Sequence, residues 1–565
     1  MLRLAPVLVI GLLTLPVAAG LAMIVLPAFG YLPALGGNAF GLAPWRELFG
    51  QPGLGRSAAL SLASGLVTPA VALAAVVLFL AAGQNGRLAR SVRRLVSPLL
   101  AVPHAALGFG LAFLIAPSGL AMRLASPWLT GASQPPDALI VNDPLGFALM
   151  AGLILKEMPF LLLMSLAALE RLRPEKRVEI ARALGYAPTL GWLKTVLPAL
   201  YPLIRLPVYA VIAYASANVD MALILGPTLP PTLAVSILEW FNDPDLSQRF
   251  MASAAAVLQL GVTLSALGIW WLGERLAARL LRPWLTGGGR RRGERTLRAI
   301  GRVGLSGASL AAVAALAGLV LFSFAGYWRF PEALPQALTL DHWRRFTPML
   351  GEALSRTAVI ALAATLVATL LVLAVLENEH RRNIRPWRAL WLLYMPLLVP
   401  QIAFLFGLVV AAESVGIGPN LGLVIAGHLL FVLPYVYLSL AEAYRRLDPR
   451  WLEIARTLGV SRNAAFWRVR LPLLAAPLAT AFAVGLAISI GQYLPTRLLG
   501  AGRVETVTTE AVALASGGNR RLISVWALVQ AALPLVGFTL AAVLPGRLGA
   551  TGRTAQTVTK EATLG

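Results

Sequence analysis

The sequence predicts an all-α membrane protein with about twelve transmembrane helices in two tandem six-helix halves, and three observations carry that expectation. The composition is too apolar for water: 58% of the 565 residues are hydrophobic, mean hydropathy is +0.75, and 13% are charged, where a soluble domain carries about 25%. Apolar stretches near 20 residues, the length a helix needs to cross about 30 Å of hydrocarbon, recur twelve times. One heptapeptide, Glu179-Ile-Ala-Arg-Ala-Leu-Gly185, returns 274 residues later as Glu453-Ile-Ala-Arg-Thr-Leu-Gly459. A soluble enzyme, a DNA-binding factor and a disordered scaffold are excluded.

In the first half the spans fall at roughly 5–29, 57–82, 99–121, 144–169, 199–225 and 250–273. In the second they fall at roughly 303–326, 357–376, 389–412, 421–442, 473–495 and 522–544. The first stretch follows Arg3 and holds small residues around Ala18 to Ala22, as a signal peptide would. Its roughly 25 apolar residues exceed a 7 to 15 residue signal core, so it is taken as a retained span. The segment Leu285-Thr-Gly-Gly-Gly-Arg-Arg-Arg-Gly-Glu294 has the composition of a flexible linker, and a disordered fusion scar fits it equally well. The expected layout is a first half over 1–283, a linker over 284–302, a second half over 303–545 and a tail over 546–565. Prolines inside spans (Pro69, Pro103, Pro159, Pro396, Pro400, Pro434) kink or break helices, and both gating kinks and ordinary transmembrane prolines fit them.

The net charge of +23 is mostly topological. With the N-terminus in the cytoplasm, 34 of the 48 Lys and Arg fall on cytoplasmic segments, 12 on the opposite side and 2, Lys156 and Arg205, inside spans. Cytoplasmic loops carry the positive excess, so both termini are expected in the cytoplasm. A nucleic-acid partner would need one contiguous basic patch, and these positives are spread over seven segments.

The chain has no cysteine, hence no disulfide or thiolate site. Its four histidines, His104, His342, His380 and His428, are isolated, with no pair at the spacing that puts two ligands on one helix face. No metal site is expected. A phosphate-cradling loop needs a lysine after a glycine; the four lysines, at 156, 176, 194 and 560, have none before them. The chain is expected to bind no nucleotide cofactor and to catalyse no reaction.

The repeated segments follow spans four and ten. Each is helix-favouring and ends at a glycine, which supplies a left-handed C-cap without steric cost. Ser461 can cap the next helix, and Pro188 suits its first turn. Further on, Leu197-Pro198 and Leu471-Pro472 restart a span. Small Ala181 and Ala455 allow close approach, and Glu179 and Glu453 are expected in a first turn, where the helix dipole favours them. The product is a helix, turn, helix projection suited to docking on another protein.

Glu-x-Ala-x-x-x-Gly followed by about a dozen residues and Leu-Pro resembles the EAA loop of binding-protein-dependent ABC importer permeases. The likeness covers both halves, from about residue 57 to 544. It implies the type I ABC importer fold, with loops 179–198 and 453–472 fitting clefts in an ATP-hydrolysing subunit. The carried-over coupling residues are Glu179, Ala181, Arg182, Gly185 and Pro198, and Glu453, Ala455, Arg456, Gly459 and Pro472. Implied partners are a homodimeric ABC ATPase, which would bind ATP and Mg, a periplasmic solute-binding protein and membrane lipid, at the bacterial inner membrane. Fused permeases of this kind occur in ferric-iron and thiamine importers. The stretch Gln492-Tyr-Leu-Pro-Thr-Arg-Leu-Leu-Gly-Ala-Gly502 with Thr508-Thr-Glu-Ala-Val512 is similar to the thiamine type. The first loop departs from the pattern at Tyr186 and Pro188.

Polar groups inside spans cost about 2.5 to 3.5 kcal/mol per charge and are functional candidates. Lys156 and Glu157 lie midway along span four. Asn218 and Asp220 on span five align with Gln492 and Leu494 on span eleven, beside Tyr493. A role on the solute pathway and plain interhelical hydrogen bonding both fit. The alternatives carried forward are a ferric-iron permease and an ion-coupled carrier. The latter's loop signature is weakly imitated by Gly83 to Arg87 and by Arg93-Arg94, without the aspartate it needs.

Overall fold

The computed structural model describes residues 2–83, 91, 98–290, 293–384 and 390–548. Most of the Gly83 to Arg87 stretch, Arg93-Arg94 and the tail from 549 onward lie outside them. Among the described residues the twelve apolar stretches form twelve principal helices. They are α1 (Ala5–Ala28), α2 (Leu54–Ala81), α3 (His104–Ile115), α4 (Phe147–Leu172), α5 (Leu197–Ser216) and α6 (Gln248–Leu280), then α7 (Glu294–Phe324), α8 (Asp341–Arg382), α9 (Gln401–Ser414), α10 (Leu421–Arg446), α11 (Ala475–Ile490) and α12 (Arg520–Leu548). The strands among them are a two-residue pair, Tyr31–Leu32 with Gly37–Asn38.

Ten helices are long and apolar enough to span a membrane, and an eleventh if Arg462–Leu473 and Ala475–Ile490, bent by 74°, count as one. The expectation was twelve, and the shortfall sits at 389–412. Proline donates no backbone hydrogen bond and clashes with the carbonyl one turn back, so Pro400 breaks that stretch. It leaves α9 with 14 residues, about 21 Å at 1.5 Å per residue. Pro103 does the same ahead of α3.

The halves are separate in sequence but exchanged in space. Helix α1 packs against α9 of the second half, and α7 packs against α2 and α3 of the first. A Cβ at Gly20 would strike the Phe404 carbonyl, and one at Gly407 would strike that of Gly20. At the matching crossing, a Cβ at Gly110 would come within 2.8 Å of the Ala315 oxygen. Lipid tails are as apolar as leucine, so helix association in a bilayer rests on the close backbone approach that small residues permit. Accordingly Val9 and Leu13 share a core with Val372, Val432 and Leu433, and Leu305 shares one with Val76, Leu161 and Ile204.

Candidate coupling loops and pathway

The repeated segments fold alike. Helix Pro174–Ala183 ends at Gly185 and is followed by helix Pro188–Thr195. Helix Arg450–Thr457 ends at Gly459 and is followed by Arg462–Ala465, which continues into a π-helical turn, Phe466–Arg470. The two glycines sit at φ +83° and +79°, a region that costs other residues about 1–2 kcal/mol. Tyr186 N donates to Ala181 O at 3.0 Å and Gly185 N to Arg182 O at 2.9 Å; Val460 N donates to Ala455 O and Gly459 N to Arg456 O, both at 3.0 Å. These paired bonds form a Schellman closure in each loop.

Ala181 and Ala455 are buried, so what approaches them closely is the chain's own second helix. A Cβ on Gly191 would meet that of Ala181 at 3.0 Å, and buried Ala465 occupies the matching place. Glu179, Arg182, Gly185, Pro198, Glu453, Arg456, Gly459 and Pro472 are exposed. Between them stand apolar groups that the sequence reading overlooked: Ile180 and Leu184, 63% and 58% exposed, and their counterparts Ile454 and Leu458, 53% and 77% exposed. Their spacing of four places each pair on one helix face. That signal lay within the repeat itself.

The stretch Leu285 to Glu294, expected as a flexible linker, meets the first loop at Gly287, Arg290 and Glu294. Residues 294–302 are the first turns of α7, and Gly287 and Arg290 ahead of them bond to the first loop. Ala187 N donates to Arg290 O at 2.8 Å, and Lys194 Nζ to Gly287 O at 2.7 Å. Glu294 accepts from Thr189 N and Oγ1 at 3.2 and 2.8 Å and from Leu190 N at 3.2 Å. The second loop is held otherwise. Ser461 caps its short helix by accepting from Ala464 N at 3.3 Å. Buried Arg470 donates to Glu377 at 2.8 Å, to Tyr444 Oη at 3.2 Å and to His380 Nε2 at 2.7 Å.

Helix α5 stops at Ser216 before a six-residue helix, Asp220–Leu225, and α11 stops at Ile490 before Leu494–Gly500. Both breaks fall at the aligned polar positions. Asn218 Nδ2 donates to Asp220 Oδ1 at 2.6 Å, and Asn218 Oδ1 accepts from Met221 N at 3.0 Å. Lys156 Nζ donates to the carbonyls of Leu100 and Val102, at 2.9 and 2.5 Å, beside the Pro103 break. Its neighbour Glu157 turns to His104 Nε2 at 3.3 Å. Asp220 lies within electrostatic reach of Lys156, Tyr214 and Tyr493, and Glu157 of Tyr435.

Lys156, Glu157, Asn218, Asp220 and Tyr493 therefore converge, with both halves contributing. The bond at Gln492 is local: its backbone carbonyl accepts from Thr496 Oγ1, one turn on, at 3.1 Å. His104 and Tyr214 were not anticipated there. Arg205, on α5, pairs with Glu274 at 2.6 Å. Beyond the end of α5 opposite the loop, a cavity of about 180 Å³ lies between the halves, bordered by Asp243, Arg249, Glu413 and Arg497. The Arg249 to Glu413 ion pair, at 3.0 Å, crosses it.

A bundle of apolar spans with proline breaks, interrupted helices and a buried polar cluster between two related halves defines a multi-pass transport permease. A family model described as the binding-protein-dependent transport system inner membrane component matches residues 387–546. The inner membrane ABC transporter permease protein YnjC of Escherichia coli is 33% identical over 514 residues, covering 90% of this chain and 92% of its own length. The molybdenum transport system permease protein ModB of Mycobacterium bovis is 30% identical over 190 residues, 30% of this chain and 71% of its own. PhnV of Salmonella typhimurium, named for 2-aminoethylphosphonate transport, is 23% identical over 191 residues, 33% of this chain and 72% of its own. The chain belongs to the binding-protein-dependent ABC transporter permeases. It is a multi-pass inner membrane protein of a family whose members are transport subunits, and the ion-coupled carrier is set aside.

Proposed function

We propose that the chain is the complete membrane pathway of an ATP-driven importer, receiving a small solute from a periplasmic binding protein and passing it between its two halves to the cytoplasm. A homodimeric ATPase, holding ATP and Mg, sits on loops 179–198 and 453–472, and both termini lie on its side of the membrane. The observation that carries this reading is the pair of matched Schellman-closed loops, each presenting an exposed apolar pair beside exposed charges. Thirteen of the basic residues lie in these two connections, 170–197 and 443–471, the positive excess that cytoplasmic loops carry.

Replacing Gly459 or Gly185 with glutamate forces a bulky acidic side chain into a left-handed turn, and is expected to abolish co-purification of the ATPase. Unchanged co-purification and transport would sink the assignment. For the solute, carboxylates Glu157 and Asp220 beside tyrosines support a cation with an aromatic ring, thiamine or a related compound, over an oxyanion. The same carboxylates suit ferric iron, the second reading. Affinity of the purified binding protein for thiamine separates them, and no measurable affinity removes thiamine.

A further inference from the structure

We infer that the segment joining the two halves is a working part of the first coupling loop, with Glu294 as its positioning residue. The inference rests on the proposal that these loops meet an ATPase. The first turn of a helix leaves backbone N–H groups without partners, and a side-chain oxygen just ahead of it normally supplies one. In the second loop that position is Ser461, which does so. In the first loop the matching position is Ala187, which has no oxygen to offer. Glu294 takes over from 105 residues away, its two oxygens receiving Thr189 and Leu190, and its charge complements the helix dipole.

The substitution changes what the loop is tied to. Glu294 is the first residue of α7, so the docking helix and α7 share a carboxylate; α7 in turn is packed into the core of the first half. The second loop is tied to the foot of α8 through Arg470 and Glu377, and the residue matching Arg470 in the first loop is Val196. Arg290 also lies over the first turn, its Cδ 3.4 Å from where a Gly185 Cβ would stand, while nothing stands within 4 Å of the same point at Gly459. Two loops of one shape thus drive different helices, and the joining segment routes movement of the first directly into α7.

The test uses the full chain assembled with its ATPase, and the binding protein purified with the solute it carries. Glu294→Ala is expected to speed amide exchange at Thr189 and Leu190 about tenfold, the scale of a lost helix cap, without touching the helix after Ser461. It is also expected to lower binding-protein-stimulated ATP hydrolysis several-fold. Ala187→Ser added to Glu294→Ala restores a local cap but not the tie to α7, so amide protection should return while stimulation stays low. Full recovery of stimulation in the double variant, or none lost in Glu294→Ala, overturns the inference. Gly459→Glu serves as the control: if it leaves stimulation intact, the docking assignment itself fails, whereas if it abolishes stimulation, a silent Glu294→Ala removes only the role of the joining segment.

Discussion

The ends of α4 and α10 that lead into the two loops are joined across the halves by four charges. Arg171 reaches Glu442 at 2.6 Å, Glu442 holds Arg446 at 3.0 Å, and Arg446 lies 4.0 Å from Glu170. Arg171→Glu should loosen this joint. The Arg171 and Glu442 side chains are 60% and 46% exposed, so the lost attraction is about 1 kcal/mol at most. Two carboxylates about 4 Å apart in water repel by about 1 kcal/mol. Their sum, about 2 kcal/mol, corresponds to a shift of roughly thirtyfold between joined and separated loops. Because the chain has no cysteine, spin labels at Ile180→Cys and Ile454→Cys report the spacing of the loops without background. Arg171→Glu is expected to lengthen that distance at low salt, and Glu442→Arg added to it to restore the original distribution. The contrast should shrink as salt rises, since the charges are exposed. An unchanged distance in the single variant, or no rescue in the double, refutes the role of the joint.

Three further outcomes are expected. Glu377→Gln leaves Arg470, 2% exposed, without its counter-charge; an uncompensated buried charge costs about 3–5 kcal/mol, so thermal unfolding should fall well below wild type, and Glu377→Leu with Arg470→Leu should recover much of it. Gly407→Val drives a branched side chain into the Gly20 backbone, an overpacking cost of about 3 kcal/mol or more, visible as lost folded yield in detergent. Leu458→Asp alters an exposed side chain, so melting should change by less than about 0.5 kcal/mol while ATPase binding in a pull-down weakens severalfold.

The spans were legible because a bilayer imposes one length and one polarity on whatever crosses it. Hydropathy does not register a broken backbone, which is why 389–412 reads as a full span although Pro400 divides it. The loops were legible because their signal is local: the left-handed glycine and the residues closing its turn lie within seven positions of one another. The exchange of α1 and α7 was not legible, since an apolar helix looks the same whichever half it packs against, and Gly20 and Gly407 gain meaning only when juxtaposed. Nor could Arg470 be matched to Glu377, 93 residues away, or Glu294 to Thr189. Glycine and arginine around Glu294 suggest flexibility, and the bonds that Gly287, Arg290 and Glu294 make to the first loop leave no mark in that composition.

These misses share a cause that bears on how the molecule works. Duplication copied the backbone plan, so turns, breaks and crossings recur in both halves, and a search for repeats finds them. Chemistry that diverged afterwards is one-sided. Phe431 and Leu494 stand where Glu157 and Asp220 stand in the other half, so the acids of the buried cluster come from the first half and Tyr435 and Tyr493 face them from the second. A solute crossing there would meet two different walls, one that supplies charge and one that supplies aromatic surface. An exact twofold gives both walls the same residues, so this division of charge and aromatic surface requires two halves of different sequence. Fusing the halves into one chain, with Glu294 bracing a single loop, extends that inequality to the loop end of the bundle as well.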